Sequence, residues 1–401
     1  MLRKPYMRIP YTDVLAAPTI TPSSANTFQG AVAALQEFLT APSPRGIPPS
    51  TLVLTGAGLS VASGLADYRG TNGTYRVNKS YRPIYYSEFL QNHEARKRYW
   101  ARSFLGWTSL HKARPNSGHF AIKHLGDLGL VHSVITQNVD SFHPQAHPSL
   151  PTIELHGYLR SLICVSCHEE LPRDAFQEEL ARLNPAWAAF LQEITASRAL
   201  DTENLEERRR RGMRTNPDGD VDLPGAPYTT FRYPACPRCL ANPPSTPDGG
   251  RAAVEVDSDG AWSAPSTAGI LKPAVTMFGE NIRPQTKIEA EKAVEEASKL
   301  LVLGTSLATY SAWRLAKHAK DRGIPIAIAN LGGVRGEDAF FNDLEPNLDG
   351  TRGARVEIST DALLPALVKE LRASSSISHV AEHHGHKAEE HGASVFKDMM
   401  S

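Results

Sequence analysis

Thr51-Leu52-Val53-Leu54-Thr55-Gly56-Ala57-Gly58-Leu59-Ser60 is the stretch that decides the fold. A short apolar run of strand length ends in a glycine turn, after which helix-compatible residues begin. Gly56 and Gly58 let the backbone approach a pyrophosphate, and a helix starting there would offer free N–H groups and the positive end of its dipole. Strand, glycine turn and helix start open an α/β nucleotide-binding domain. A lone glycine pair also serves many strand-to-helix turns for steric reasons only. No third glycine stands at the dinucleotide-fold spacing, because Gly64 comes six residues after Gly58, and no acidic residue ends a second strand ~20 residues on. The turn reads as a nucleotide site unlike that of an ordinary dehydrogenase.

The rest of the chain agrees with this opening. Phe28–Leu39 has helical apolar spacing, and Ser133–Thr136, Leu300–Leu303, Ile324–Ala329 and Arg355–Ile358 are further buried-strand candidates. Helical patterns at Lys287–Ser298 and Ser311–Asp321 separate some of them, which implies a parallel sheet covered on both faces. Met1–Asn26 reads as mostly loop. The chain has 401 residues, 41 % of them hydrophobic, enough for a real core. Its 43 Lys+Arg balance 43 Asp+Glu, so there is no electrostatic footprint for nucleic acid. No window approaches the ~20 apolar residues of a membrane span. Met1–Asp13 lacks the apolar stretch of a secretory leader, so none is expected.

The four cysteines form two pairs, Cys164-Val-Ser-Cys167 and Cys236-Pro-Arg-Cys239. They are too few for a disulfide scaffold, and paired C-x-x-C motifs read as a tetrahedral zinc site; two unrelated redox or chance motifs are the alternative. His168–Ala235, which lies between the pairs, far exceeds the ~15–20 residues of a zinc ribbon, so something is inserted there. Ala241–Ala268, rich in Pro, Ser, Gly and Asp, is expected to be a flexible insertion. The run Arg208–Arg211 suits either an anionic partner or, given Glu206 and Glu207, a solvated helix end. Five of the 15 histidines fall between His379 and His391, in a segment without core residues that suits either a disordered tail or a metal-binding one.

Longer motifs add a family resemblance. Gly56-Ala57-Gly58-Leu59-Ser60-x-x-Ser63-Gly64-Leu65-Ala66-Asp67-Tyr68-Arg69-Gly70 resembles the first signature of the sirtuin (Sir2) family, and Thr136-Gln137-Asn138-Val139-Asp140 followed by Leu155-His156-Gly157 resembles its second. The cysteine pairs, Leu271-Lys272-Pro273 with Phe278-Gly279-Glu280, and Gly304-Thr305-Ser306-Leu307 follow in the family's order, and the likeness covers residues 27–371. Arg98–Arg102, Gly106-Trp107, Asn184-Pro185 with Trp187, and Asn216-Pro217-Asp218-Gly219-Asp220 resemble the class II branch, which holds a mitochondrial lipoamidase and ADP-ribosyltransferase. Leu65-Ala66, Ala274 and Ser141-Phe142 depart from the usual pattern.

The resemblance implies a doubly wound, Rossmann-like parallel sheet (27–156 and 270–371) with an inserted small zinc-binding domain (157–269), between an N-terminal extension (1–26) and a disordered tail (372–401). It implies NAD-dependent removal of acyl groups from protein lysines, giving nicotinamide, deacylated lysine and O-acyl-ADP-ribose. The acyl amide oxygen is a poor nucleophile and must be held against the ribose in a dry tunnel. An imidazole near its ordinary pKa then suits deprotonation of a ribose hydroxyl, and His156 is the expected base. Asn138 is implied to position ribose and a water, and Asp140 the nicotinamide amide. Gly56, Ala57, Gly58, Ser60, Asp67, Tyr68, Arg69, Gln137, Gly304, Thr305, Ser306, Asn330, Leu331 and Gly332 are implied to contact NAD.

Val275, Phe278 and Gly279 are implied to line the acyl-lysine path. Tyr99 and Arg102 share a helix face, where they suit either an acyl carboxylate clamp or core packing with a surface ion pair. One structural zinc ion on Cys164, Cys167, Cys236 and Cys239 is implied. The chain is expected to act as a monomer on acylated-lysine proteins, without nucleic acid or membrane. ADP-ribosyl transfer to protein and a non-catalytic zinc-ribbon interaction module are the rival functions. Arg3, Lys4 and Arg8 precede the first acidic residue, which with the branch resemblance gives the mitochondrial matrix as the expected compartment; nucleus or cytoplasm is the alternative.

Overall fold

The computed structural model describes residues 14–43, 46, 50–78, 81–199, 213–344 and 349–374. In chain order its strands are β1 (Thr51–Thr55), β2 (Val131–Thr136), β3 (Thr152–Glu154), β4 (Gly157–Cys164), β5 (Glu170–Pro172), β6 (Arg214–Thr215), β7 (Val221–Asp222), β8 (Leu271–Val275), β9 (Lys299–Leu303), β10 (Ile326–Ala329) and β11 (Gly353–Val356). Six of them form one sheet in the order β11-β10-β9-β1-β2-β3, every neighbour parallel. The expected central strands are all present, with ends shifted by one or two residues. Ile358 falls beyond β11, and β3 has no counterpart in the expectation because its three residues are too short and half-exposed to read as an apolar run.

Side chains alternate between the two faces of this sheet. Val53, Val134, Leu301 and Ala327 pack beneath helix Phe28–Thr40 and helix 360–374, through Leu35, Phe38, Leu363 and Leu367. Leu52, Leu54, Leu300, Val302 and Ile328 face helices Pro284–Glu296 and Tyr310–Asp321 on the other side. Helix Phe28–Thr40 begins where Thr27 Oγ1 accepts from the Gly30 N–H, and its apolar stripe recurs at helical spacing. A parallel sheet buried on both faces explains why its strands read as unbroken apolar runs. Among residues 14–26 the chain is loop apart from one 3₁₀ turn, but Thr21 exchanges two backbone hydrogen bonds with Arg355 and so pins this stretch to the edge of β11.

The second module has a three-stranded antiparallel sheet, β5-β4-β8, and an aromatic core of Trp100, Phe104, Phe176, Trp187, Phe231, Tyr233 and Trp262. Two expectations need correction here. Helix His93–Lys112 and strand β8, assigned above to the larger domain, pack with this smaller core and sheet. Residues 241–268 are folded rather than flexible. Trp262 is 6 % exposed, its indole N–H donates to Ala268 O, and Val254 and Val256 pack beside it. One buried tryptophan anchors a segment whose composition otherwise suggests a linker. The arginine run 208–211, the histidines 379–391 and Arg3, Lys4 and Arg8 lie outside the described residues. No helix among the described residues is long and apolar enough to cross a membrane.

Candidate active site

The strand order reverses between β1 and β9, and ligands of such sheets bind in the crevice at the carboxyl ends of the strands around that point. A cavity of about 1560 Å³ opens there and runs between the two modules. Every nucleotide, acyl-path and catalytic residue expected from the sequence lines it except Gly56, whose carbonyl lies just beneath and accepts from Asn138 Nδ2 at 3.1 Å. The four cysteines do not line it.

The glycine turn differs in one respect from expectation. Gly56 leads into a 3₁₀ helix, Ala57–Ser63, closed by Gly64 in the left-handed region, so the turn presents backbone N–H groups without a long helix dipole behind them. Gly58 N–H donates to Gly304 O at 2.8 Å, and a Cβ on Gly58 would stand 2.7 Å from that oxygen. Glycine is therefore required by the touching of two chain turns, whatever lies above them.

A chain of hydrogen bonds fixes the residues after β2. Asn138 Nδ2 also donates to Ser60 Oγ at 3.0 Å, and the Ser60 hydroxyl donates to Asp140 Oδ2 at 2.7 Å. Burial raises the Asp140 carboxyl above its ordinary range, while the Ser60 hydroxyl and the Phe142 N–H partly hold it down. Gln137 Nε2 donates to Thr305 Oγ1 at 2.9 Å, and the Thr309 hydroxyl donates back to Gln137 Oε1 at 2.9 Å. Gln137 thus ties the end of β2 to the loop after β9. In the loop after Gly64, Asp67 Oδ1 accepts from Gly70 N–H, and Arg69 lies over the Tyr75 ring beside Tyr68.

His156 sits at the centre. Its Nδ1 is 3.1 Å from Gln137 O, and its Nε2 is 2.8 Å from Ser311 Oγ. A carbonyl can only accept, so Nδ1 carries the proton and Nε2 is the acceptor, receiving the Ser311 hydroxyl. Burial lowers the His156 pKa to about 4, against the near-ordinary value expected above, so the imidazole is neutral and its acceptor lone pair, on Nε2, receives the Ser311 hydroxyl.

A model of the Sir2 family matches residues 56–311 of this chain. The chain belongs to the Sir2 family. It is 39 % identical over 292 residues to the NAD-dependent protein deacylase SIR4 of Batrachochytrium dendrobatidis, covering 72 % of this chain and 83 % of that one. It is 33 % identical over 304 residues to the human mitochondrial NAD-dependent protein lipoamidase sirtuin-4, covering 76 % and 79 %. A solved structure from work on the mechanism and regulation of Sir2 enzymes covers 85 % of this chain and 98 % of its own, with a TM-score of 0.51 at 22 % identity, a likeness of fold.

The zinc-site expectation of a sirtuin is met by geometry. Cys164 Sγ lies 3.5 Å from Cys239 Sγ and Cys167 Sγ 3.7 Å from Cys236 Sγ, with all four sulfurs within 4.8 Å of one another. A tetrahedron of ~2.3 Å Zn–S bonds needs sulfurs ~3.8 Å apart, so the four thiols fit one zinc ion. With four protein ligands no position is left to activate water, and the site is structural.

At the other end of the cavity, β8 carries Val275 to its wall, and Thr276 N–H donates to His156 O at 2.7 Å, joining this wall to the backbone of His156. Tyr86 N–H donates to Phe278 O, and the Tyr85 ring lies against Gly279. Tyr99 is buried against Phe89 and Trp100, with part of its surface on the cavity. Arg102 reaches the cavity too, and it is paired there. Its Nη2 is 2.7 Å from Asp220 Oδ2, an ion pair in which both side chains are nearly buried.

Three positions escaped the sequence reading. Ser311 is an unremarkable serine until the fold sets it on His156. Asp220 lies in a quoted motif, yet nothing local says that it faces Arg102. Arg355, fully buried on β11, donates to Asn330 O, Val356 O and Gly332 O and pairs with Glu337, bracing the Asn330–Gly332 loop. A lone arginine inside an apolar strand was the one available signal, since a buried charge requires partners.

Proposed function

We propose that this sirtuin is an NAD-dependent protein-lysine deacylase, and that His156 Nε2 is its proton acceptor. The observation that carries the reading is the neutral His156, held in one tautomer by Gln137 O, inside the cavity that Asn138, Asp140 and the glycine turns enclose. Four relatives at 33–39 % identity bear the names NAD-dependent protein deacylase or lipoamidase, which supports the same chemistry.

In this reading Gly56, Ala57, Gly58, Ser60, Asp67, Tyr68 and Arg69 hold NAD from the β1 side, Gly304, Thr305 and Ser306 from the β9 side, and Asn330, Leu331 and Gly332 from the β10 side. NAD supplies nicotinamide as a leaving group and ribose hydroxyls to receive the acyl group. Asp140 and Gln137 orient its nicotinamide end, and Asn138 positions ribose. Val275, Phe278 and Gly279 guide the acyl-lysine, with Tyr99 and Arg102 at the far wall, and their close packing excludes water from the reacting atoms. Once the Ser311 hydroxyl gives way, His156 Nε2 takes a proton from a ribose hydroxyl, a role for which a neutral imidazole is suited. The zinc ion holds the smaller module together and does not enter the chemistry.

The balanced charge of the chain supports action without nucleic acid. The sirtuin-4 relatives carry a mitochondrial name, which supports that compartment. An acyl-lysine peptide panel with NAD, reading nicotinamide and deacylated peptide together, tests the function. Equal amounts of both products are expected. Nicotinamide with labelled protein and no deacylation would instead identify an ADP-ribosyltransferase, and no NAD turnover would leave an interaction module.

A further inference from the structure

The acyl end of the cavity is closed by two elements far apart in the chain. One is helix His93–Lys112, which carries Tyr99 and Arg102; the other is the tip of the β6–β7 hairpin, Asn216–Asp220. The tip is a closed turn. Gly219 N–H donates to Asn216 O at 2.8 Å, Asn216 N–H donates to Asp220 O at 3.0 Å, and Asn216 Nδ2 donates to Asp220 Oδ1 at 2.5 Å. Asp220 is therefore aimed by its own turn, with Oδ2 left to meet Arg102 Nη2 at 2.7 Å. The hairpin lies directly on the helix, since a Cβ at Gly106 would stand 1.9 Å from Gly219 O.

Other negative groups crowd the same cation. Asp222 Oδ1 lies 3.8 Å from Arg102 Nε, and Asp218 lines the cavity with a shielded Oδ1 that makes no hydrogen bond. Burial, then the Asp220 carboxylate beside it, pushes the Asp218 carboxyl well above the usual range and toward its neutral form, so the charge facing Arg102 comes from Asp220 and Asp222. An open guanidinium can hold a carboxylate with two parallel hydrogen bonds. Here Nη2 already meets the protein's own carboxylate, while the buried Nε makes no hydrogen bond and has Asp222 3.8 Å away.

We propose that Asp220 occupies the place on Arg102 that an acyl carboxylate would take, so that the pocket accepts uncharged acyl chains and selects against succinyl- and glutaryl-lysine. The inference rests on the deacylase reading for its substrate. An incoming carboxylate must either displace Asp220, which leaves that charge nearly buried and unpaired, or lie beside Asp220 and Asp222 against like charge. Both routes discriminate through repulsion. The tip Asn216–Asp220 becomes the specificity element, and Arg102 its anchor.

The test compares one peptide carrying glutaryl-lysine with the same peptide carrying its terminal amide, an uncharged isostere. Binding to the full chain is read by fluorescence anisotropy, and turnover with NAD is read separately. The glutaryl peptide is expected to bind at least ~tenfold more weakly than the amide, since like-charge juxtaposition at an interface is strongly unfavourable. Asp220→Asn should bring the two within ~threefold, because it frees Arg102 while keeping the turn's shape.

Should Asp220→Asn fail to fold, the salt dependence of the wild type serves. Repulsion predicts that the glutaryl-to-amide difference shrinks as ionic strength rises, whereas a carboxylate clamp predicts that glutaryl binding itself weakens. Equal or tighter glutaryl binding by the wild type, a salt-induced loss confined to the glutaryl peptide, or an unchanged ratio in folded Asp220→Asn overturns the proposal. Discrimination in binding without NAD turnover of either peptide would uphold this pocket and overturn the deacylase reading. Turnover of both peptides without discrimination would do the reverse, and binding of neither peptide would overturn both.

Discussion

The two ends of the cavity are built in different ways. The nucleotide end hangs on the carboxyl ends of β1, β2, β9 and β10, and its side chains are short, polar and joined to neighbouring turns: Asn138 to Gly56 and Ser60, Gln137 to Thr305. The acyl end has no such frame. It is made by helix His93–Lys112, a two-stranded hairpin and β8, brought together by the aromatic core and the cysteine cluster. A sheet edge fixes a site from within one layer, whereas a packed module fixes it only while the module is intact. Damage to the two ends should therefore look different.

The largest effect belongs to the nucleotide end. His156→Tyr should lower deacylation by roughly 10²-fold or more, because general-base catalysis is worth ~10²–10⁴-fold. Melting temperature and NAD binding should change little. A variant that kept a tenth of wild-type turnover would remove His156 from the role of base.

Next comes the module. Cys239→Ala, or zinc stripped by a chelator, should cost several kcal/mol of stability, since a structural zinc site's binding energy is part of its folding energy. Cys239 is buried in the same cluster as Trp262 and Trp187, so loss should appear first as altered tryptophan fluorescence and failed peptide binding. Folded, fully active protein without zinc by elemental analysis would show that the four thiols hold no essential ion.

Gly106→Val separates the ends more finely. The added side chain collides with Gly219 O, so the hairpin must shift from the helix. KM for acyl peptide should rise by about tenfold, on the scale of a misplaced contact, with NAD affinity unchanged. An equal loss of both would mean that the two ends are mechanically one.

The same contrast governs what the sequence discloses. β1, β2, β9 and β10 are legible because each is a local apolar run, and Asn138, Asp140 and His156 are legible because the chemistry clusters within short motifs. The acyl wall is not. Arg102 and Asp220 each stand in a recognisable motif, but they meet only through tertiary packing, and neither motif names the other as its partner. Trp262 hides in a proline- and glycine-rich stretch, and its burial depends on partners as distant in the chain as His93. Ser311 acquires meaning only from the helix that delivers it to His156. Local pattern reports on elements, while pairings between distant elements are set by packing that no window of sequence contains.

The smallest effect probes the layer beneath the nucleotide end. His143 Nε2 and Thr55 Oγ1 are 2.8 Å apart, His143 Nδ1 and His147 Nε2 are 2.8 Å apart, and the His119 ring stacks edge-on to His143. Burial, then the neighbouring His147, lowers the His119 pKa to about 3, and burial lowers His143 as well, so both are neutral when folded. The unfolded chain takes up protons on these rings as pH falls through the ordinary value of about 6.5, and the folded chain does not. Stability is thus complete above that pH and declines below it, by up to ~1.4 kcal/mol per pH unit for each ring that stays neutral. Urea unfolding of the wild type and His119→Asn at pH 7, 6 and 5 reads this slope. The variant should start less stable at pH 7, having lost a buried ring, yet decline less steeply between pH 6 and 5, by about one histidine's share. Parallel slopes would show that His119 is protonated in the folded state and that the buried layer under β1 admits charge, which would make the nucleotide end as yielding as the acyl end.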